Sequence, residues 1–174
     1  MAPMNTLQAS ERGTALGLLI LGIAGRLTPH PWNVTPLIAI ALLGGALLPA
    51  RWAVGLPVAI AAVSDLVLGW HTTLPFTWAG FALAAGLGAW LRRPSAARVA
   101  LVAVAASTAF FIVSNFGVWL VGGLYEPTLA GLRACFIAAV PFYRQMLAGD
   151  LICTLALFGL AALTGRLPST AQAR

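Results

Sequence analysis

Apolar residues fall in six long runs that are separated by short breaks. The runs cover roughly residues 13–29, 34–50, 52–70, 74–91, 99–122 and 142–165. Each approaches the length of about 17–25 residues that a helix needs to cross the hydrocarbon of a bilayer. Prolines interrupt the pattern beside four of the runs: Pro29, Pro49, Pro94 and Pro127. The pattern predicts an all-α polytopic membrane protein, a six-transmembrane-helix bundle forming one domain over 13–166, with tails at 1–12 and 167–174.

A further apolar stretch, 127–141, carries Arg133 near its centre. It is too short to cross comfortably, and a charge at mid-membrane costs at least about 2.5 kcal/mol. We therefore expect a separate segment that lies over one mouth of the bundle or dips partly into the bilayer.

Charge sets the expected orientation. Hydrophobic residues make up 60% of the chain and charged residues 8%, and all ten basic residues are arginines without a basic stripe, so we expect no nucleic-acid partner. Seven lie on one face of the predicted bundle: Arg12, Arg51, Arg92, Arg93, Arg98, Arg166 and Arg174. The other face has three: Arg26, Arg133 and Arg144. Because short arginine-rich loops stay cytoplasmic, both termini are predicted to be cytoplasmic.

Small residues recur at four-residue spacing, as in Gly13 with Gly17 and Ala41 with Gly45. Such pairs let helix backbones approach closely. They predict close packing inside the bundle or, alternatively, a docking face for another membrane subunit.

The polar residues that lipid-facing helices avoid collect at the predicted extracytoplasmic end. Those proposed to bind a substrate there are Arg26, His30, Trp32, Asn33, Asp65, Trp70, His71, Asn115, Tyr143, Arg144 and Asp150. Intramembrane ionisable groups normally face a bundle interior or a wet cavity, so we expect an internally compensated ligand pocket. Two alternatives stay open: arginine–aspartate pairs that only tie helix ends together, and aromatic residues that only anchor the chain at the membrane surface.

Motifs for catalysis and metal binding are missing from the sequence. It contains no GxSxG, HExxH or P-loop string, and Cys135 and Cys153 lack CxxC spacing. We expect no enzymatic activity, no metal site and no cofactor of the protein's own.

Several longer strings carry a resemblance. PHPWNVTPLIAIALLGGALLP, SDLVLGWH, FFIVSNFGVWL, YEPTLAGLRACFIAAVPFYR and GDLICTLALFG resemble a family of small bacterial membrane proteins of unknown function. The resemblance covers roughly residues 22–160 and implies a bacterial inner-membrane location. It implies no particular activity.

A looser similarity, carried by the TPLIAIALLGG segment and the SDLVLG end of the third run, is to the substrate-binding S-components of energy-coupling-factor vitamin transporters. The solitary cobalamin-specific type is the nearest. That similarity implies a vitamin site near the outer surface and an energising ATPase module as partner. The cobalamin type uses a cysteine near the third or fourth helix to ligate cobalt, and no cysteine lies at 65–85 here. In the place of that cysteine, His71 or His30 would be the residue that ligates cobalt.

The expected function is therefore uptake of a vitamin or cofactor, with cobalamin as a candidate substrate. The partners would be the lipid bilayer, a vitamin-like ligand and an energising module. A membrane scaffold or assembly subunit is one alternative. A proton-coupled carrier using Asp65 and Asp150 is the other.

Overall fold

The computed structural model describes residues 4–29 and 33–167. Within them the chain forms six α-helices: α1 (Met4–Leu27), α2 (Leu37–Leu47), α3 (Ala50–Leu68), α4 (Leu74–Gly88), α5 (Ala96–Val121) and α6 (Leu129–Leu163). A 3₁₀ turn, Ala89–Leu91, extends α4. The prediction of an all-α fold is confirmed for this part of the chain.

Local sequence explains where the longer helices begin and end. The Ser95 hydroxyl accepts the backbone N–H of Arg98 at the start of α5, and Thr128 does the same for Gly131 at the start of α6. These contacts satisfy N–H groups that have no partner within the helix. Gly69, with φ +113°, ends α3 in a conformation that few other residues adopt.

Helix α2 lies at the centre of the bundle. Residues 37–45 are all buried, and α2 packs against α1, α3, α4, α5 and α6. A helix that is apolar on every side is stable only when protein or lipid surrounds it completely. Here the other five helices supply that surrounding.

Glycines bring α2 and α4 into close contact. A Cβ atom placed on Gly45 would lie 2.8 Å from the Cα of Gly88, and one placed on Gly88 would lie 2.9 Å from the Cα of Gly45. Gly13 and Gly17 differ, because a Cβ there would meet no atom within 4 Å. Close packing is thus present at Gly45, whereas Gly13 and Gly17 face open space.

The predicted span at 34–50 is wrong in length. Helix α2 has 11 residues, about 16 Å at 1.5 Å per residue, against a hydrocarbon thickness of about 30 Å. Leu48 is extended and Pro49 already begins α3. A helix enclosed by protein has no need to match the bilayer, which is why a fully apolar sequence does not guarantee a crossing.

The predicted break before residue 142 is also wrong. Residues 127–141 are not a separate segment, because α6 runs through Pro141 without interruption for 35 residues. Proline is tolerated inside helices of membrane proteins when neighbouring groups compensate for the lost hydrogen bond. Helix α6 is about 52 Å long, so it is tilted or extends beyond the hydrocarbon.

Within residues 4–29 and 33–167, four helical segments are long and apolar enough to cross a membrane: Ala50–Leu68, Leu74–Leu91, Ala96–Val121 and Leu129–Leu163. They indicate a membrane protein whose apolar helices contact lipid. Six crossings and cytoplasmic termini stay predictions.

Candidate functional site

A buried ion pair joins the ends of three helices. The Nη2 atom of Arg26, at the end of α1, lies 2.8 Å from Oδ1 of Asp65 in the last turn of α3. The indole Nε1–H of Trp78, on α4, donates to the other oxygen, Oδ2, at 2.9 Å. Asp65 is only 2% exposed, and both its oxygens are satisfied. The carboxylate therefore acts as a three-helix tie of the kind that the sequence left open as a structural alternative.

Two further predicted site residues surround this tie at the surface. Trp70 is exposed and meets Trp78 edge-on, with ring centroids 5.8 Å apart. His71 is exposed, and its Nδ1 lies 2.8 Å from the Thr73 hydroxyl. Both side chains are exposed, and their predicted role in ligand binding stays a prediction.

A separate cavity of about 410 Å³ opens between α5 and α6 beside the α1–α2 connection. It is lined by Asn33, Phe110, Phe111, Ser114, Asn115, Ala139, Phe142, Tyr143 and Met146. Asn33 reaches it from a left-handed backbone conformation, φ 59°, which asparagine tolerates better than most residues. Three residues of the predicted site, Asn33, Asn115 and Tyr143, therefore meet in one place.

Four of the nine residues that line the cavity are aromatic. Phe111 packs against Tyr143 with ring centroids 4.6 Å apart and against Phe136 at 5.5 Å. Phe110 packs against Phe81, also at 4.6 Å. These contacts fix the rings in place before any ligand arrives, and pre-formed apolar walls with a few polar groups are typical of small-molecule sites.

The polar groups of the cavity are uncharged. The amide nitrogen of Asn115 donates to the Phe111 carbonyl at 2.9 Å, which leaves its Oδ1 as an acceptor. The Thr108 hydroxyl donates to the Val104 carbonyl at 2.7 Å, so the Tyr143 hydroxyl, 2.7 Å away, donates to Thr108 and keeps its oxygen as an acceptor. None of the described residues that line this cavity carries a charged side chain. Its chemistry suits an uncharged molecule that carries rings and hydrogen-bonding groups.

Asp150 is apart from both places. It is buried between α5 and α6, where its Oδ2 accepts a 2.7 Å hydrogen bond from the Ser107 hydroxyl. One structural alternative paired Arg144 with Asp150 or Asp65, but Arg144 is exposed and the described residues contain one ion pair, Arg26–Asp65. Asp150 follows Arg144 by six positions, and a helix turns side chains at that spacing to different faces.

The predicted site residues thus do not share one pocket. Three line the cavity, two form the ion pair, Asp150 is buried elsewhere, and the exposed ones are Trp70, His71 and Arg144. His30 and Trp32 lie outside the described residues. The expectation of internal charge compensation is met at Asp65 only.

Sequence reasoning missed several participants. Trp78 and Phe111 lie inside apolar runs where a lipid or core contact is the ordinary expectation. Ser107 and Thr154 are single hydroxyls inside helices. For Thr154, the sequence did offer a signal in its helical spacing, because Thr154 follows Asp150 by four residues and so lies on the same face of the helix.

Comparison with known proteins identifies a family. Residues 8–171 match the model of a family of unknown function, DUF6580, in agreement with the first resemblance seen in the sequence. Neither the curated proteins nor the solved structures give a match. The similarity to vitamin-transporter S-components accordingly has no support from these comparisons.

Proposed function

Because the chain belongs to DUF6580, a family of unknown function, we propose a function from its cavity: a membrane-embedded binding protein for the uptake of a small vitamin-like solute. One observation carries the proposal. The α5–α6 cavity combines fixed aromatic walls with the uncharged polar groups of Asn33, Asn115 and Tyr143. Rings would stack on rings, and the amides and hydroxyl would meet the polar edge of the ligand.

The size and neutrality of the cavity narrow the ligand class. About 410 Å³ lies in the lower part of the range of about 300–1,000 Å³ that encloses drug-sized ligands. Cobalamin, which the sequence resemblance suggests, is larger and would be only partly enclosed. Without a charged lining residue, an anion or cation would lose its hydration uncompensated. Uncharged ring-bearing vitamins therefore rank above cobalamin and above charged solutes.

The proposal also states the side of the membrane to which the cavity opens and the partner that would drive uptake. The cavity would open to the extracytoplasmic side of a bacterial inner membrane, with both termini cytoplasmic, as the arginine distribution predicts. Movement of the bundle, driven by an ATPase module, would then deliver the ligand inward. The open face of α1 at Gly13 and Gly17, where no atom lies within 4 Å of an added Cβ, is the proposed contact for that module.

The first experiment is a thermal-shift panel of vitamins on the detergent-purified protein, including cobalamin. We expect an uncharged ring-bearing vitamin to raise the unfolding midpoint, because a ligand that binds only the folded state stabilises it. Phe111→Leu should weaken the binding of that vitamin by about tenfold or more, since loss of a stacked ring costs about 0.5–1.5 kcal/mol beyond its area.

Phe136→Leu is the matched control. Phe136 belongs to the same aromatic group but does not line the cavity, so this variant should keep its affinity. A protein that no vitamin stabilises, or equal losses in the two variants, would contradict the proposed site.

A scaffold or assembly subunit is the second candidate, supported by the three-helix tie at Asp65. On that view cavity variants change stability only, and pull-downs of the intact protein yield a stable membrane partner. The vitamin panel separates the two candidates, because a scaffold has no reason to bind any member of it.

A further inference from the structure

Asp150 lacks the compensation that Asp65 has. It contacts Ser107, which lies 11 residues after the start of the 26-residue helix α5 and so near its middle. It is 2% exposed. Its Oδ2 accepts the Ser107 hydroxyl, its Oδ1 accepts no hydrogen bond, and no cation pairs with it in the described part of the chain. A buried carboxylate in this state calls for one positive charge.

Thr154 supplies an independent observation. Its side chain is fully buried, and its Oγ1 atom has no hydrogen-bond partner among the described residues. Buried hydroxyls in helices ordinarily donate to the carbonyl four residues earlier. Ser64, which is fully buried in α3, does so at 2.6 Å. Thr154 does not, and it lies one turn after Asp150 on the same face of α6.

We propose that Asp150, Ser107 and Thr154 form an oxygen-lined site for one sodium ion between α5 and α6. A single carboxylate matches a single positive charge. Carboxylate and hydroxyl oxygens suit hard cations, and no group of three or more His, Cys, Asp or Glu residues occurs in the described chain to hold a transition metal. A proton would neutralise Asp150 but would leave the Thr154 oxygen without a partner.

The site is distinct from the proposed vitamin cavity, which none of these three residues lines. Sodium bound there would hold α5 against α6. Since the same two helices form most of the cavity wall, ion binding would favour the closed arrangement in which the cavity is formed.

The test uses detergent-purified protein in choline chloride buffer, into which NaCl or KCl is titrated at constant ionic strength. Sodium at about 100 mM should raise the unfolding midpoint by about 3 °C or more, with little response to potassium. Binding of ²²Na⁺ should saturate at about one ion per chain, in keeping with one carboxylate per site.

Thr154→Val keeps the shape of the side chain and removes the hydroxyl, so it should lower sodium affinity about tenfold, as expected for a lost ligand. Thr154→Ser should retain binding, and Asp150→Asn should abolish it. Thr164→Val, on the same helix but at its exposed end, is the control and should bind normally. The proposal fails if sodium and potassium act alike, if Thr154→Val binds ²²Na⁺ as the wild type does, or if stability follows pH and ignores sodium.

Discussion

The two buried aspartates of this protein are held in opposite ways. Asp65 has an arginine at 2.8 Å and an indole N–H at 2.9 Å, so the protein itself supplies its positive charge and its donors. Asp150 is equally buried, at 2% exposure, but receives a single hydroxyl. Both oxygens of Asp65 have partners, although Nη1 of Arg26 has none among the described residues, whereas Asp150 has no cation beside it in the described part of the chain.

The difference shows how a buried charge is to be interpreted. Intramembrane acids mark functional sites as a default, yet that default fails when partners close the site, as at Asp65. A compensated carboxylate locks helices. An uncompensated one, beside a hydroxyl that also lacks a partner, points to a ligand.

The largest expected effect is at Arg26. Arg26→Met should lower the free energy of unfolding by about 3–5 kcal/mol, because it leaves Asp65 as a buried charge without its partner. Thermal or denaturant unfolding in detergent measures this effect. Arg26→Met combined with Asp65→Asn removes both charges and should recover much of the loss.

Arg144→Met is the matched control for that variant. Arg144 is exposed and forms no ion pair among the described residues, so the change should stay within about 0.5 kcal/mol. Equal effects at the two arginines would remove the contrast between a compensated and an unpaired site.

Trp78→Phe tests the second donor to Asp65. Loss of a hydrogen bond to a charged group should cost about 1.5–3 kcal/mol. Trp119→Phe is the comparison, because the Trp119 indole donates at 3.0 Å to the neutral backbone carbonyl of Glu126 and should cost only about 0.5–1.5 kcal/mol. A larger loss at Trp119 would mean that the Asp65 tie contributes little.

Gly45→Ala measures the loss in the free energy of unfolding when helix packing is disturbed, for comparison with the electrostatic effects above. An added methyl would meet the α4 backbone, 2.8 Å from the Cα of Gly88, so we expect a loss of about 1–3 kcal/mol. Gly17→Ala, with no atom within 4 Å, should be neutral or stabilising through helix propensity by up to about 1 kcal/mol. If both glycines tolerate alanine equally, the close approach of α2 and α4 is not tight.

Thr154→Val should act in the opposite direction and by the smallest amount. Without sodium, it removes a buried hydroxyl that has no partner, so stability should stay constant or rise by about 1 kcal/mol. Unfolding in choline chloride buffer measures the change. A clear loss of stability would show that Thr154 has an internal partner, and the ligand interpretation of Asp150 would weaken.

Hydropathy predicted the helical class and most helix positions because length and composition govern them locally. It predicted too great a length for α2 and divided α6 into two segments. Both errors come from tertiary structure, because neighbouring helices bury α2 and neighbouring groups allow α6 to continue through Pro141. A run of apolar residues does not state whether lipid or protein covers it.

The candidate site was predictable in part. Polar residues at helix ends offered an Arg26–Asp65 pairing as one alternative, and the structure contains that ion pair. Asn33, Asn115 and Tyr143, predicted to bind a substrate, line one cavity, and their role in binding stays a prediction. The division of the predicted site residues among separate places was not predictable, because it depends on how α5 and α6 face each other and on which side of a helix each residue lies. Phe111 and Trp78 carried no polar signal that distinguishes a site residue from a core residue.

The most direct test of the contrast compares Asp65→Asn with Asp150→Asn in sodium-free buffer at neutral pH. At the compensated site, Asp65→Asn should unfold at a clearly lower temperature than the wild type, because Arg26 loses its counter-charge. Asp150→Asn should unfold at the wild-type temperature or above, since it removes an uncompensated buried charge and keeps an acceptor for Ser107. The reverse order of the two variants would contradict the account.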